Sequence, residues 1–155
     1  MSDMRLTARR LILALNKIDE IYLAGEQNSP VSDEELCIMY ALDDGLPHSQ
    51  RDICMEWMLK KSTVNTIVKR WSSEGYITMQ PIPGKRREMQ LLLTDSGKAY
   101  ISAFLAPFYR AEEKALKETL DKYPEEFISA IEFFGQALKD AFAQNEGDCH
   151  EDPSV

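Results

Sequence analysis

The chain has 155 residues, 44% of them hydrophobic, and a net charge of −8 at neutral pH. That length supports one domain with a real core rather than two, and with no uncharged apolar run near ~18 residues no membrane partner is expected. The opening MSDMRLTARR lacks the apolar segment of a signal peptide, and three cysteines (Cys37, Cys54, Cys149) without metal-like spacing suit a reducing, cytoplasmic setting.

A first helix is expected over residues 5–24. Leu11, Leu15, Ile18 and Tyr22 repeat at helical spacing, while Ile12, Leu13 and Ile21 add a second apolar side that calls for a second packing partner. GEQNSP ends it, and Ser32 through Glu35 reads as a capping box opening a short helix to about residue 42. Ser49 is the next N-cap, with Asp52 placed to reach back to it. Ile53 and Trp57 share one side of the helix that follows. A turn near Met58 and Leu59 leads to a helix over about 61–74. In it Val64, Ile67, Val68 and Trp71 form one buried stripe, opposite Lys61, Ser62, Thr63, Asn65, Thr66, Lys69 and Arg70. Gly75 supplies a left-handed stop.

Residues 76–80 and 88–93 read as two strands of a hairpin, with Pro81, Pro83 and Gly84 in its turn. Thr94 caps a long helix that Pro107 is expected to kink or interrupt. Tyr123-Pro124 marks a break. A last helix then carries Phe127, Ile131, Phe134, Leu138 and Phe142 as an apolar stripe, and residues 144–155 form an acidic tail expected to be disordered.

Charge is segregated along this order. Residues 49–87 hold eight basic side chains against three acidic ones, a local +5 that leaves −13 for the remainder. A positive face is what attraction to phosphate requires, whatever the total. Two short helices and a hairpin with Lys85, Arg86 and Arg87 near its tip have the order of a winged helix-turn-helix.

These residues resemble the MarR (multiple antibiotic resistance regulator) family of bacterial transcription factors. The resemblance lies in KKSTVNTIVKRWSSEGYI, which is similar to the recognition helix and wing start; in Arg87 followed by Leu93-Thr94 and Gly97, similar to the end of the wing signature; and in the order of four helices, a wing and two further helices. There are three departures. Lys85 stands where the family keeps an aspartate that braces the wing, Lys60 where it has a serine-like cap, and Thr66 where Arg or Lys is common.

The resemblance implies a mainly α fold with a small β-hairpin wing. It implies a single domain over 1–143, with a DNA-binding lobe at 32–94 and dimerisation helices at 5–24 and 95–143. It also implies a homodimer on a pseudo-palindromic operator, repression as the commoner mode, and possible release by a small aromatic or lipophilic acid. Its expected contacts divide by chemistry. Ser62, Thr63, Asn65 and Thr66 suit base edges, with Asn65 able to pair bidentately with adenine. Lys60, Lys61, Lys69 and Ser49 suit phosphates, Arg86 or Arg87 suits the minor groove, and Lys85 makes the wing tip more cationic. Arg70 either joins them or pairs with Glu74 four residues on. Arg10, Lys17, Tyr22 and Tyr40 are the candidate effector contacts.

Other classes fare worse. The two histidines, His48 and His150, join no catalytic or zinc grouping, and no phosphate-binding glycine loop occurs, so neither enzyme activity, cofactor nor metal is expected. Cys37 and Cys54 read as core packing. A winged helix used only for protein contact is the alternative, and would favour an apolar or acidic second-helix face.

Overall fold

In the computed structural model, residues 3–26, 31–85 and 88–148 are described, with side chains over 3–23, 31–85 and 88–144. The order is α1 (Asp3–Glu26), α2 (Asp33–Leu42), β1 (His48–Ser49), α3 (Gln50–Glu56), α4 (Lys61–Ser73), β2 (Ile77–Pro81), β3 (Met89–Leu93), α5 (Asp95–Leu120) and α6 (Glu126–Asp148). This is the mainly α winged helix the sequence leads one to expect. Two compact units divide within α5, at Met1–Ala106 and Pro107–Val155.

The core lies in the first unit. Ile38 and Met39 of α2, Ile53 of α3, Val64, Val68 and Trp71 of α4, Ile77 and Leu91 of the sheet, and Ile101 and Leu105 of α5 are all buried. The α4 stripe falls there because its apolar residues recur at helical spacing, so one face turns inward and the polar face is left outside.

The sheet is antiparallel in the order β1-β3-β2. Ile77 pairs with Leu93 and Pro81 with Met89 along the hairpin, and His48 and Ser49 pair with Leu91 and Gln90. The short β1 is not expected from the sequence. Two residues carry no alternation to read, and Ser49 reads as the start of the helix behind it. That cap is fully formed. The Ser49 hydroxyl accepts from the Asp52 N–H (3.2 Å), and the Asp52 carboxylate accepts from the Ser49 N–H (3.0 Å) and hydroxyl (2.7 Å). Ser49 therefore ends a strand, opens a helix and ties the wing's third strand to the helix-turn-helix.

Other expectations are corrected. Ser32 caps α2 by accepting from the Glu35 N–H (3.3 Å), but the Glu35 side chain does not return to it; it is buried elsewhere. Pro107 does not interrupt α5, which is continuous from Asp95 to Leu120. Proline there removes one hydrogen bond, to the carbonyl of Ala103, and both residues lie on the solvent side, where water can serve that carbonyl. Helix α6 continues through Asp148, so residues 144–148 are helical rather than part of a disordered tail, and the rest of that tail lies outside the described residues. Cys37 and Cys54 are half-buried rather than core residues, and Cys149 lies outside the described residues.

Two aspartates give this lobe an acid dependence. Hydrogen bonds from the Ser49 side chain and backbone hold the Asp52 carboxyl below the usual aspartate range. The Leu46 N–H (2.8 Å) and the His48 Nε2 (2.9 Å) do the same for Asp44. A carboxyl lowered in the folded state lends stability that is fully present above its unfolded value, about 3.9, and that is lost as pH falls through the lower folded value. The urea midpoint should accordingly drop below about pH 4, and Asp52→Asn should lose part of that drop. An unchanged acid profile in the variant would exclude the cap as its source.

Candidate nucleic-acid interface

The turn from α3 to α4 passes through Met58 at φ 53°, the left-handed conformation, and Lys60 then precedes α4 without a side-chain cap. No acidic residue occupies the first turn of α4, and Lys60 and Lys61 are exposed there. Positive side chains beside the positive end of a helix repel each other in isolation and together attract an anion.

Along α4 the outward face carries Lys61, Ser62, Thr66 and Lys69, all exposed, with Thr63 and Asn65 half-buried at its edge. The Thr66 hydroxyl donates to the Ser62 carbonyl (2.9 Å), which leaves its lone pairs and methyl group facing out. This cluster has acceptors, donors and cations but no carboxylate, the chemistry that base edges and phosphates require. Gly75, at φ 78°, stops the helix and turns the chain into β2.

Two sequence-predicted contacts are placed differently. Ser49 is buried and its hydroxyl is committed to Asp52, so it serves as a cap and not as a phosphate ligand. Arg70, half exposed, forms its salt bridge not with Glu74 but with Glu35 on α2, to whose carboxylate its guanidinium donates.

The wing is braced in a way the sequence did not disclose. The Lys85 Nζ donates to the Glu88 Oε2 (2.7 Å), and Arg51 of α3 lies 3.7 Å from the Glu88 Oε1. The hydrogen bond that Lys85 donates to Glu88 raises the basicity of Lys85. A lysine–glutamate pair thus spans the tip where the family places its aspartate, with the sign of the first partner reversed. Arg51, exposed on α3 beside it, adds a cation that sequence reasoning passed over. Arg86 and Arg87 lie outside the described residues.

The base of the wing is held by Thr94. Its hydroxyl donates to the Gly75 carbonyl (2.6 Å) and accepts from the Gly97 N–H (3.1 Å), and its own N–H donates to the Tyr76 carbonyl (3.0 Å). The Leu93-Thr94-x-x-Gly97 signature is therefore a joint between α4's end, the wing and α5.

Of the effector candidates, Arg10 and Lys17 are exposed on α1 and Tyr22 is half-buried there. Tyr40, on α2, stacks on Trp57 with ring centroids 6.0 Å apart, which accounts for it as packing. Among the described residues no three His, Cys, Asp or Glu are grouped to hold a metal, and no helix is long and apolar enough to cross a membrane.

A family model described as the MarR family matches residues 29–88. The chain is 32% identical over 65 residues to the HTH-type transcriptional repressor NicR of Pseudomonas putida, a match over 42% of this chain and 41% of that one. The chain thus spans less than half the length of that curated relative. Two solved structures share the fold. One is NMB1585, a MarR family regulator from Neisseria meningitidis (TM-score 0.68, 22% identity, 96% of this chain and 99% of that one). The other is BpsR of Bordetella bronchiseptica, whose DNA binding is regulated by 6-hydroxynicotinic acid (TM-score 0.57, 20% identity, 86% and 92%).

Proposed function

We propose, from a chain that carries a MarR-family segment at residues 29–88, that this protein is a transcriptional regulator that binds an operator in double-stranded DNA. The observation that carries this reading is the outward face of α4: basic, rich in Ser, Thr and Asn, free of carboxylates, and backed by a buried apolar stripe. Helix α4 enters the major groove, where Asn65, Ser62, Thr63 and Thr66 meet base edges. Lys60, Lys61 and Lys69 hold phosphates, and the wing with Lys85, Arg86 and Arg87 reaches the neighbouring minor groove.

The active form is a homodimer. Helix α1 leaves Ile12, Leu13, Ile18 and Ile21 exposed, and α6 leaves Ile131, Phe133, Leu138 and Phe142 exposed. Apolar side chains in such number on terminal helices favour burial against a second copy. Two recognition helices then sit about 34 Å apart and read a pseudo-palindrome. Repression is the mode supported by the likeness to NicR, and release by a small aromatic acid is the mode of control supported by the likeness to BpsR. Arg10, Lys17 and Tyr22 remain the proposed contacts for such an acid.

Selection of bound sequences from a random DNA pool, followed by titration of the selected and a scrambled duplex at several salt concentrations, tests the reading. Asn65→Ala should cost about 1–3 kcal/mol on the selected site and relax one base position. Equal losses on both duplexes would remove Asn65 as a reader. Lys61→Ala should lower the salt slope by about one unit with site preference intact. Failure of the wild type to prefer any sequence would favour a protein-contact module instead.

A further inference from the structure

We propose that Glu35 is a positioning residue for DNA recognition, holding α4 at the rotation at which its polar face meets base edges, and that Arg70 serves Glu35 rather than phosphate. This rests on the function proposed above and adds residues to it. Glu35 is a buried carboxylate, only 4% exposed, on α2, a helix with no part in the outward face. Its two partners are consecutive residues of α4. The Trp71 indole Nε1 donates to its Oε1 at 2.7 Å, and the Arg70 guanidinium donates to the same carboxylate.

Neither bond is needed to bury the apolar stripe of α4. Dispersion and the hydrophobic effect are non-directional, and leave a helix able to rotate or slide by small amounts on its bed. Hydrogen bonds to a buried charge are directional and costly to break. With side-chain tips about 5–6 Å from the helix axis, a rotation of about 20° carries them about 2 Å. A shift of that size exceeds the window of a base-edge hydrogen bond, roughly 2.7–3.2 Å, while a long flexible lysine could still reach its phosphate. Loss of the Glu35 clamp should therefore damage reading more than holding.

The clamp extends beyond α4. The Trp71 ring meets Tyr100 of α5 edge-on, with centroids 6.3 Å apart at 87°, and Tyr100 stacks on Tyr76 at 4.5 Å and 3°. Tyr76 lies between α4 and β2, and its carbonyl accepts from the Thr94 N–H. Glu35 thus anchors one end of a string of side chains that reaches the base of the wing. The basicity of Arg70 is raised chiefly by its hydrogen bond to Glu35, in keeping with an engaged guanidinium.

The test uses the full chain with Glu35→Gln, Arg70→Gln and Trp71→Phe, the last keeping an aromatic ring but losing the indole N–H. Each is titrated against the selected and the scrambled duplex across salt. The expected result is a roughly ten-fold fall in the ratio of selected to scrambled affinity for each variant, with the salt slope unchanged. Arg70→Gln combined with Glu35→Gln should lose no more than either alone. The indole N–H resonance of Trp71 should move in Glu35→Gln, a change independent of DNA. A fall of about one unit in the Arg70→Gln slope, with equal loss on both duplexes, would make Arg70 a phosphate ligand and overturn the proposal. Undiminished discrimination in folded Glu35→Gln or Trp71→Phe would overturn it too, and so would lowered thermal stability alone. A wild type that itself shows no sequence preference would instead overturn the proposed function, and this assignment with it.

Discussion

Gly97→Ala should destabilise the folded chain by about 2–3 kcal/mol, measured as a fall in the urea midpoint at neutral pH. A Cβ built at Gly97 lies 2.0 Å from the Tyr76 carbonyl oxygen and 2.8 Å from its carbon. Those atoms are backbone and cannot swing aside as a side chain would. The Tyr76 carbonyl accepts from the Thr94 N–H at 3.0 Å, and the next residue, Ile77, begins the pairing of β2 with Leu93. Making room for a methyl group therefore means parting the start of α5 from the wing and losing at least one buried hydrogen bond. Opposing this is the better helix propensity of alanine, about 1 kcal/mol at most and less in a first turn. The clash wins. Gly84 offers a control: its φ of 79° also resists a side chain, but nothing lies within 4 Å of a Cβ there. Its substitution should cost about 1 kcal/mol from backbone strain alone. Equal stability of Gly97→Ala and wild type would show that the joint between wing and α5 is looser than these distances require.

Leu138→Lys with Phe142→Lys is expected to turn the proposed homodimer into a monomer and to lower operator affinity by at least about a hundred-fold. Leu138 is 40% exposed and Phe142 63% exposed in the single chain, and Ile131 is exposed on the same face of α6. Burying one such side chain is worth about 1.5–3 kcal/mol, and a two-fold interface counts each substitution twice. Four such losses, with lysines introduced into the seam, exceed what a dimer of ordinary size can spare. The loss on DNA then follows from valency: the second reading head no longer arrives at a high effective concentration. Binding to an isolated half-site should persist weakly, because α4 and its clamp lie outside the altered helix. Sedimentation and half-site titration check both parts. A variant that stays dimeric would mean that α6 contributes little to the interface.

Much of the winged-helix lobe is legible along the chain. The α4 stripe, its polar face, the Gly75 stop, the Ser49–Asp52 cap and the hairpin all depend on residues within a few positions of each other, where helical period and cap chemistry have only one consistent reading. Legibility fails where one residue type serves two purposes. Glu35 stands three residues after a serine N-cap and so reads as the second half of a capping box, yet its carboxylate lies 35 and 36 positions from its real partners. Arg70 has an acidic neighbour at i+4 and in fact reaches back to α2. Pro107 reads as a break because its local effect is certain, while the solvent exposure that lets α5 continue through it is set by the tertiary fold.

The sequence by itself determined the class of fold, the face of α4 that looks outward and the places where α2, α3 and α4 begin and end. Side-chain period, caps and left-handed glycines act within one or two turns, and their energies are set by neighbours in the chain. Only the tertiary structure decided that the Ser49 hydroxyl is buried away from phosphate, that Arg70 clasps Glu35, that Glu88 lies between Lys85 and Arg51, and that Gly97 is glycine because a carbonyl of Tyr76 lies against it. Each of these depends on which distant groups packing brings within about 3–4 Å, the range over which hydrogen bonds, ion pairs and steric overlap act and over which linear spacing carries no information.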